Sequence, residues 1–199
     1  DTIIFDKTGT LTEAQPKLAR VIPTDGWSED EVLRFAACLE EHFPHPVARA
    51  VVAAAQERGL EHRERHAAVE YIVAHGIASA LDGKRAVIGS AHFVFEDEHA
   101  HLDPETLSRV ETEMEGLSPL FLAVDGEVVG VLGIEDPLKP GVKESVAELR
   151  NLGFKHIVML TGDSARTAAR IASEAGTDEF QADLLPEDKF AYVDRVKSE

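Results

Sequence analysis

The first apolar run of the chain is followed at once by residues that can carry out phosphoryl chemistry. Thr2 to Phe5 is short, apolar and β-branched, which predicts a strand buried on both faces, and the heptapeptide DKTGTLT begins directly after it at Asp6. A carboxylate at the end of such a strand can attack a phosphoryl group in line and form an aspartyl phosphate, provided that nearby cations neutralise the developing charge. Asp6 is therefore a candidate nucleophile.

A second apolar run near the other end of the chain has polar residues in the same position. Ile157 to Leu160 predicts another buried strand, and the tripeptide TGD at residues 161–163 comes next. In open parallel sheets ligands lie beyond the carboxyl ends of the strands, because the next loop and helix N-terminus present free N–H groups there. Both segments therefore predict the same edge of a sheet for the chemistry.

Helices are predicted on either side of this second strand. One helical pattern covers Gly141 to Leu152 and ends at Gly153, and another begins after a possible capping residue, Ser164, and ends at Gly176. The order strand, helix, strand, helix is typical of a parallel α/β sheet.

The middle of the chain has a different pattern. A capping box at Ser28 and Glu31 predicts a first helix, and Pro46 starts a second that ends at Gly59. Strand-like runs follow at 69–73, 77–81, 85–88, 120–124 and 127–132, with hairpin dipeptides at Asp82-Gly83 and Asp125-Gly126. We therefore predict an antiparallel α+β domain at 14–134, inserted into an α/β domain formed by residues 1–13 and 135–199.

The heptapeptide at Asp6 resembles the phosphorylation motif of P-type ATPases, which belong to the haloacid dehalogenase-like superfamily. The resemblance implies that Asp6, followed by Lys7, is phosphorylated. Phosphatases of the superfamily carry a second Asp two positions on, which protonates the leaving group and then activates water, whereas this chain has Thr8. Without that base, hydrolysis of the phosphoenzyme should lose roughly 10²- to 10⁴-fold in rate, which suits a pump.

Two further segments match the same superfamily. Thr161, Gly162 and Asp163 resemble its second motif, in which the Thr hydroxyl and the Gly N–H hold a phosphate oxygen, and the segment PEDK resembles the one whose lysine, here Lys189, lies beside the phosphoryl group. A solvated lysine at a helix start is the alternative for Lys189. The segment DPLKP, from residue 136, resembles the hinge motif at which the inserted domain returns.

The inserted segment resembles one branch of these ATPases, the heavy-metal transporters. His45 precedes Pro46 at a helix start, and Glu40 lies five residues upstream, as in the signature whose His and Glu contact ATP. The family's Gly-x-Gly loop matches Ala74 and Gly76, and a family Asn is replaced by Ser90. The resemblance thus implies ATP contacts from Glu40, His45, Gly76 and Ser90, with affinity and base selectivity affected by the two departures.

Magnesium is the second cofactor that the resemblance implies. Asp6 and the Thr8 carbonyl would be ligands, but the family's main magnesium-binding Asp belongs to a Gly-Asp-Gly-x-Asn-Asp motif that should follow Lys189, and the chain ends first, at Glu199. We therefore expect a piece of a longer protein, with weak Mg²⁺ binding and little autophosphorylation on its own. The transmembrane helices, the actuator domain and the heavy-metal site would lie elsewhere, which predicts a location at the cytoplasmic face of the membrane.

Charge and composition exclude other classes. The chain has 199 residues with 20 Lys and Arg against 37 Asp and Glu, a net charge of −17, which opposes binding to nucleic acid or anionic lipid. The longest stretch without these charged residues, Tyr71 to Leu81, is far shorter than the roughly 20 residues that cross a bilayer. A single cysteine, Cys38, excludes an internal disulfide, and we expect it to be a packed thiol.

Two alternative functions remain open at this stage. The first is a soluble haloacid dehalogenase-like phosphohydrolase with a cap domain, against which Thr8 and the pair of Glu40 and His45 argue. The second is a nucleotide-binding module without catalysis, which the missing magnesium Asp favours for the chain as it stands.

Overall fold

The computed structural model describes residues 1–24, 26–41, 43, 45–60, 70–72, 76–81 and 83–198, with residues 70–72 and 81 described by their backbone alone. The chain forms two compact units, one made of residues 1–15 and 136–199 and the other of residues 16–135. The first contains a parallel sheet and the second an antiparallel one, so the predicted α/β class with a separate antiparallel α+β part is confirmed.

In chain order, the described strands and helices are β1 (Thr2–Asp6), β2 (Lys17–Pro23), α1 (Glu29–Glu40), α2 (Pro46–Glu57), β3 (Glu70–Ile72), β4 (Gly76–Leu81), β5 (Lys84–Gly89), α3 (Pro104–Glu113), β6 (Ser118–Val124), β7 (Glu127–Glu135), α4 (Val142–Asn151), β8 (His156–Leu160), α5 (Ala165–Ala175), β9 (Glu179–Gln181) and α6 (Pro186–Ser198). Among these helices, none has the length and apolar character that a bilayer crossing demands.

The first unit is built on a three-stranded parallel sheet in the order β1-β8-β9. The register pairs Thr2 with His156 and Asp6 with Leu160, so β1 and β8 end at the same edge. Ser164 caps α5 as predicted, and the helix ends at Gly176, whose φ of +79° is the left-handed conformation that glycine adopts most easily. The apolar face of α5 packs with Leu11 and Met159 to form the core of this unit.

The second unit is a six-stranded antiparallel sheet in the order β2-β7-β6-β5-β4-β3. Asp125 and Gly126 both have positive φ, +51° and +81°, as the two central residues of a type I′ hairpin turn require, and they connect β6 to β7 as predicted. The other predicted dipeptide connects β4 to β5, with Gly83 at φ +81°, while Asp82 lies outside the described residues. The strand predicted at 69–73 is seen at Glu70–Ile72, and residues 69 and 73 lie outside the described part.

Both faces of this sheet are covered. Successive residues such as Ile77 and Ala78 belong to different clusters, because neighbouring side chains on a strand point to opposite faces. One face packs against α1 and α2, and the other against α3 and a single π-helical segment, His92–Asp97. Helix α1 starts with the predicted capping box of Ser28 and Glu31. Cys38 on α1 is buried in the first cluster, where a packed thiol was expected.

Several elements have no counterpart in the sequence analysis. They are β2, α3, the segment His92–Asp97, β9 and α6. Five of the seven residues of β2 and nine of the ten residues of α3 are exposed or only partly buried, so neither shows a continuous apolar face. Strand β9 has three residues, too few to show a period, and α6 has no buried residue among those described.

Replacement of Gly130 by alanine tests how closely α1 packs on the sheet. A Cβ atom at Gly130 would lie 2.5 and 2.6 Å from the two γ-carbons of Val32, which is completely buried. Overpacking of this kind typically costs about 1–3 kcal/mol. We expect that loss in the free energy of unfolding in urea, followed by the fluorescence of Trp27, the chain's single tryptophan, which packs edge-on to Phe35 of α1 with ring centroids 5.2 Å apart.

The control for this prediction is the double-mutant cycle with Val32→Ala. Removing the γ-carbons makes room for the new methyl group, so Gly130→Ala should cost much less in the Val32→Ala background. Additive losses in the double variant would contradict the proposed contact.

Candidate functional site

The candidate nucleophile Asp6 lies at the carboxyl edge of the parallel sheet. It ends β1 opposite Leu160, the last residue of β8, and Thr161 follows directly. The Asp6 side chain is 44% exposed, and its Oδ1 accepts a hydrogen bond of 2.5 Å from the Lys189 ammonium. Lys189 belongs to the first turn of α6, so the helix start holds a positive charge next to a carboxylate from the far end of the unit's sequence.

The Lys7 side chain points away from solvent, and its ammonium group forms ion pairs with two carboxylates other than that of Asp6. The residue is only 5% exposed, and its Nζ lies 2.8 Å from Oδ2 of Asp163 and 3.7 Å from Oδ2 of Asp136. A buried ammonium is costly to desolvate unless it is paired, and two carboxylates provide that pairing here. The predicted catalytic residues Lys7 and Asp163 therefore form a buried ion pair that connects the loop after β1 to the loop after β8.

The loop after Asp6 is fixed by a short hydrogen-bond network. The Thr12 hydroxyl donates to Oδ2 of Asp136 at 2.6 Å and accepts from the Gly9 amide at 3.3 Å. The Lys139 ammonium donates to the Gly9 carbonyl at 2.6 Å. Gly9 has φ +76°, a left-handed conformation in which a side chain would be strained. The loop that carries Thr8 and Gly9 is thus held by residues of the segment 136–139.

The sequence analysis missed the roles of Thr12, Asp136 and Lys139. It quoted them as members of motifs and assigned them no contact. The signal that could have found them is the insertion itself, because the chain leaves the first unit shortly after Thr12, at Gln15, and returns to it at Asp136. Two backbone hydrogen bonds bear this out, from Glu13 to the Pro137 carbonyl at 3.0 Å and from Lys139 to the Leu11 carbonyl at 2.9 Å.

The second predicted motif forms a tight turn after β8. Thr161 is 2% exposed, and its hydroxyl accepts from the amide of Asp163 at 3.0 Å, so the hydroxyl proton is available to another acceptor. A Cβ atom at Gly162 would lie 3.2 Å from the Leu184 carbonyl, which leaves little space for a side chain. This turn can therefore present the Thr161 hydroxyl and the Gly162 backbone to an anion.

The predicted magnesium ligands are Asp6 and the Thr8 carbonyl. Both donors are hard oxygens, and Mg²⁺ typically uses one or two carboxylates and completes its shell with water and substrate phosphate, so this donor set fits that ion. Thr8 is exposed and in extended conformation, with φ −71° and ψ 123°. Within the described ranges, no group of three or more His, Cys, Asp or Glu side chains is arranged to hold a metal.

The second unit contains a separate candidate site, a cavity of roughly 210 Å³. All four residues predicted to contact a nucleotide line it: Glu40, His45, Gly76 and Ser90. The rest of the lining is mainly apolar, with Phe43, Val47, Ile77, Ile88 and Leu120. An apolar pocket with a few converging polar groups is typical of a small-molecule site. Ala74, the other position of the glycine loop, lies outside the described residues.

Two titratable residues, Glu40 and His45, belong to the described lining of this cavity, and both are positioned by helix ends. Glu40 is the last residue of α1 and is 7% exposed, and burial raises the pKa of its carboxyl to about 7. His45 caps the start of α2, where its Nδ1 accepts from the Val47 amide at 3.3 Å. Because Nδ1 accepts a hydrogen bond, a neutral His45 carries its proton on Nε2, which can donate to a ligand.

Gly76 and Ser90 have structural roles of their own. A Cβ atom at Gly76 would lie 2.4 Å from Phe93 Cδ1 and 2.5 Å from the Ile88 carbonyl oxygen, so packing alone demands glycine there. The Ser90 hydroxyl accepts from the Phe93 amide at 3.3 Å at the start of the segment His92–Asp97. The sequence analysis related both residues to a nucleotide and did not foresee these contacts.

Comparison with known proteins agrees with this architecture. The family model of the haloacid dehalogenase-like hydrolases matches residues 1–199, and the chain therefore belongs to this family. Within it, the chain is similar over its whole length to heavy-metal P-type ATPases. It is 39% identical over 199 residues to the probable copper-exporting P-type ATPase V of Mycobacterium tuberculosis, a match that covers 100% of this chain and 26% of that protein.

Solved structures give the same result. A zinc-transporting PIB-type ATPase in its E2·Pi state matches with a TM-score of 0.68 and 34% identity, over 99% of this chain and 31% of that one. The catalytic CPx-ATPase domain CopB-B matches with a TM-score of 0.72 and 26% identity, over 100% and 66% of the two chains. The resemblance to heavy-metal P-type ATPases is thus confirmed, and the chain spans about a quarter of the length of the curated relative named above.

The raised pKa of Glu40 predicts a pH-dependent stability of the second unit. Burial raises this pKa from 4.5 to about 7, so the folded state holds a proton that the unfolded state releases between these two values. The free energy of unfolding should therefore fall as pH rises from about 4.5 to 7, by roughly 3 kcal/mol for a shift of this size.

Glu40→Gln removes the titrating group and keeps the shape of the side chain. The difference in unfolding free energy, variant minus wild type, should grow between pH 5 and pH 8 in favour of the variant. Urea unfolding followed by Trp27 fluorescence measures it, and Glu41→Gln, a change at the exposed neighbouring position, provides the control. A difference that stays constant with pH would contradict the raised pKa.

Proposed function

We propose that this chain is the ATP-binding and aspartyl-phosphate-forming catalytic unit of a heavy-metal cation-transporting P-type ATPase. The observation that carries the proposal is the carboxylate of Asp6 at the sheet edge, with the Lys189 ammonium 2.5 Å from its Oδ1 and a threonine, Thr8, two positions on. A carboxylate next to a fixed positive charge suits attack on a phosphoryl group, because the charge offsets the negative charge of the transferring oxygens.

The proposed reaction is a transfer of the γ-phosphoryl group of ATP to Asp6. A carboxylate oxygen of Asp6 forms a bond to the γ-phosphorus, and the bond from that phosphorus to the bridging oxygen breaks, so that ADP leaves with the electron pair. Lys189 stabilises the charge on the transferring group, and the Thr161 hydroxyl and Gly162 amide donate hydrogen bonds to it. Mg²⁺, held by the Asp6 carboxylate and the Thr8 carbonyl, supplies further positive charge when bound.

Thr8 determines what happens after the transfer. A threonine hydroxyl is a poor base at neutral pH, so water that approaches the aspartyl phosphate finds no carboxylate at this position to take its proton. The phosphoenzyme should persist long enough to drive a change elsewhere in the protein. This persistence separates a pump from a phosphohydrolase of the same family.

The second unit is proposed to hold the nucleotide. Glu40, His45, Gly76 and Ser90 line one cavity of roughly 210 Å³, with apolar residues between them. The planar apolar surface of a base is compatible with this lining, and Glu40 and the Nε2–H of His45 supply the polar contacts. Residues 14–134 are accordingly proposed as the nucleotide-binding domain, and residues 1–13 with 135–199 as the phosphorylation domain.

The cargo, location and partners proposed for this chain are based on the proteins to which it is similar. Proteins similar to this chain are named as copper-exporting and zinc-transporting P-type ATPases. We assign to this chain the same class of cargo, a heavy-metal cation, and a place at the cytoplasmic face of a membrane. Its partners would be the transmembrane and actuator domains of its own protein.

Calorimetric titration with ATP, with and without Mg²⁺, tests the nucleotide site. His45→Ala should weaken ATP binding about 10- to 100-fold, the range expected from a lost hydrogen bond to a charged group. His92→Ala is the matched control, because His92 is an exposed imidazole that does not line the cavity. Equal affinities for the two variants would remove His45 from the site.

Transfer of label from γ-labelled ATP tests the chemistry. The whole protein of which this chain is proposed to be the catalytic unit should be labelled at Asp6, and Asp6→Asn should abolish the label. If ATP does not bind at millimolar concentration and that protein hydrolyses small phosphate esters, it is a phosphohydrolase. If ATP binds and Asp6 is never labelled, the chain is a binding module.

The lifetime of the labelled form provides a further prediction. Thr8→Asp introduces the base that phosphohydrolases of the family carry, so the label should be lost at least about 10²-fold faster than from the chain with Thr8. Thr8→Asn has a similar shape and no carboxylate, and it should keep the slow loss. The rate at which the label is lost is measured after an excess of unlabelled ATP has been added. Equal rates in the Asp and Asn variants would refute the role given to Thr8.

A further inference from the structure

Glu40 is the most buried residue with a polar side chain among the described residues that line the proposed nucleotide cavity. The residue is 7% exposed at the end of α1, and it lines the cavity together with Gly76 and Ser90. Within the described part of the chain, its side chain makes no ion pair and no hydrogen bond. A buried carboxylate without a donor or a cation is strongly disfavoured over the neutral acid.

The charged groups near α1 do not remove the preference of the Glu40 carboxyl for its neutral form. Among the described residues, His45 is the only other titratable side chain that lines the cavity. The other charged side chains near Glu40 in the fold lie outside the cavity lining. They are Arg34 of α1, Glu41 directly after α1, and those of the elements that pack against α1: Arg49 and Glu57 of α2, Lys17 and Arg20 of β2, Glu127 and Glu135 of β7, and Lys84 and Arg85 of β5. Burial alone raises the pKa of Glu40, to about 7.

We propose that Glu40 binds the adenine ring as a neutral carboxylic acid, so that protonation of this residue selects the base; the inference rests on the proposed function. The acid presents an O–H donor and a C=O acceptor side by side. Adenine presents the complement, an exocyclic amine next to a ring nitrogen that accepts. Two hydrogen bonds therefore form between the neutral acid and one edge of the base.

Ionisation of Glu40 removes this match. A carboxylate has two acceptors and no donor, so one of its oxygens faces the lone pair of the adenine ring nitrogen. Guanine is different, because its N1–H and its exocyclic amine are two adjacent donors that a carboxylate can accept together. Rising pH should therefore weaken ATP binding more than GTP binding, and the binding of ATP should take up a proton.

Calorimetry on the 199-residue chain tests the inference. ATP and GTP are titrated between pH 6 and 8.5 into the wild type, Glu40→Gln and Glu41→Gln. Glutamine keeps a donor and an acceptor at every pH, and the ratio of wild type to Glu40→Gln cancels the effects of pH that the two proteins share, including those on the phosphates of the nucleotide. With a pKa of about 7, the wild-type affinity for ATP should fall about 30-fold relative to Glu40→Gln over this range.

Proton uptake gives a second and independent measurement. Titrations at pH 7.5 in two buffers of different ionisation enthalpy should show roughly 0.8 proton taken up per ATP by the wild type beyond that of Glu40→Gln, again for a pKa of about 7. Glu41→Gln should behave as the wild type. Comparison of the wild type with Glu41→Gln and with GTP still decides the matter if Glu40→Gln does not fold.

The outcomes separate this inference from the proposed function. If ATP binds, but without proton uptake and with the same pH dependence in the wild type and Glu40→Gln, the neutral acid is refuted and the nucleotide site stands. If Glu40→Gln loses ATP at every pH while the wild type binds it best at pH 8.5, the carboxylate is the binding form. If no variant binds ATP at millimolar concentration, the proposed function itself fails.

Discussion

The buried ammonium of Lys7 is the interaction on which the geometry of the first unit depends. It lies within 4 Å of carboxylate oxygens from Asp136 and Asp163, so one charge joins three segments that are distant in the sequence. Removing one partner of a buried pair typically costs about 3–5 kcal/mol, because the remaining charge is left uncompensated. The loops after β1 and β8 are therefore held together by a strong local constraint.

This constraint explains why Asp6 can be exposed and still well positioned. The backbone of Asp6 belongs to β1. The next side chain, that of Lys7, pairs with two carboxylates, and Gly9 is held by hydrogen bonds with Thr12 and Lys139. The carboxylate of this proposed nucleophile is then free to meet a ligand, because none of the fixing contacts uses it. Among the described residues its partner is Lys189, whose charge would also stabilise a transferring phosphoryl group in the proposed reaction.

The candidate site residues are marked more clearly in the sequence than the residues that hold them. Asp6 and Thr161 follow apolar strands, and His45 precedes a proline at a helix start, so a one-dimensional pattern marks each position. The register of β1 and β8 then brings two of these ends to one edge. Thr12, Asp136 and Lys139 give no such signal, because their role depends on where the chain leaves and returns.

At Gly76 and Ser90 the sequence pattern identifies the positions but not the contacts that hold these residues. A family pattern links both to a nucleotide, yet the close approach of Phe93 and the Ile88 carbonyl demands glycine at 76 with no ligand present, and Ser90 accepts from the amide of Phe93. A motif therefore identifies a position and does not identify the force that keeps the residue there. Small elements such as β9 and the weakly buried β2 were missed for the related reason that three-dimensional pairing, and not a local apolar period, stabilises them.

The two candidate sites differ in whether a buried ionisable group has partners of opposite charge, and this difference agrees with the functions proposed for them. In the first unit, the Lys7 ammonium is paired with two carboxylates, so its charge is balanced by neighbours in the same unit. In the second unit, Glu40 is buried without such a partner among the residues that the structure describes, and burial raises its pKa to about 7. A compensated charge suits a framework that must not change, whereas an uncompensated acid keeps a proton that a ligand can use, at a cost in stability that accumulates as the pH rises towards that pKa.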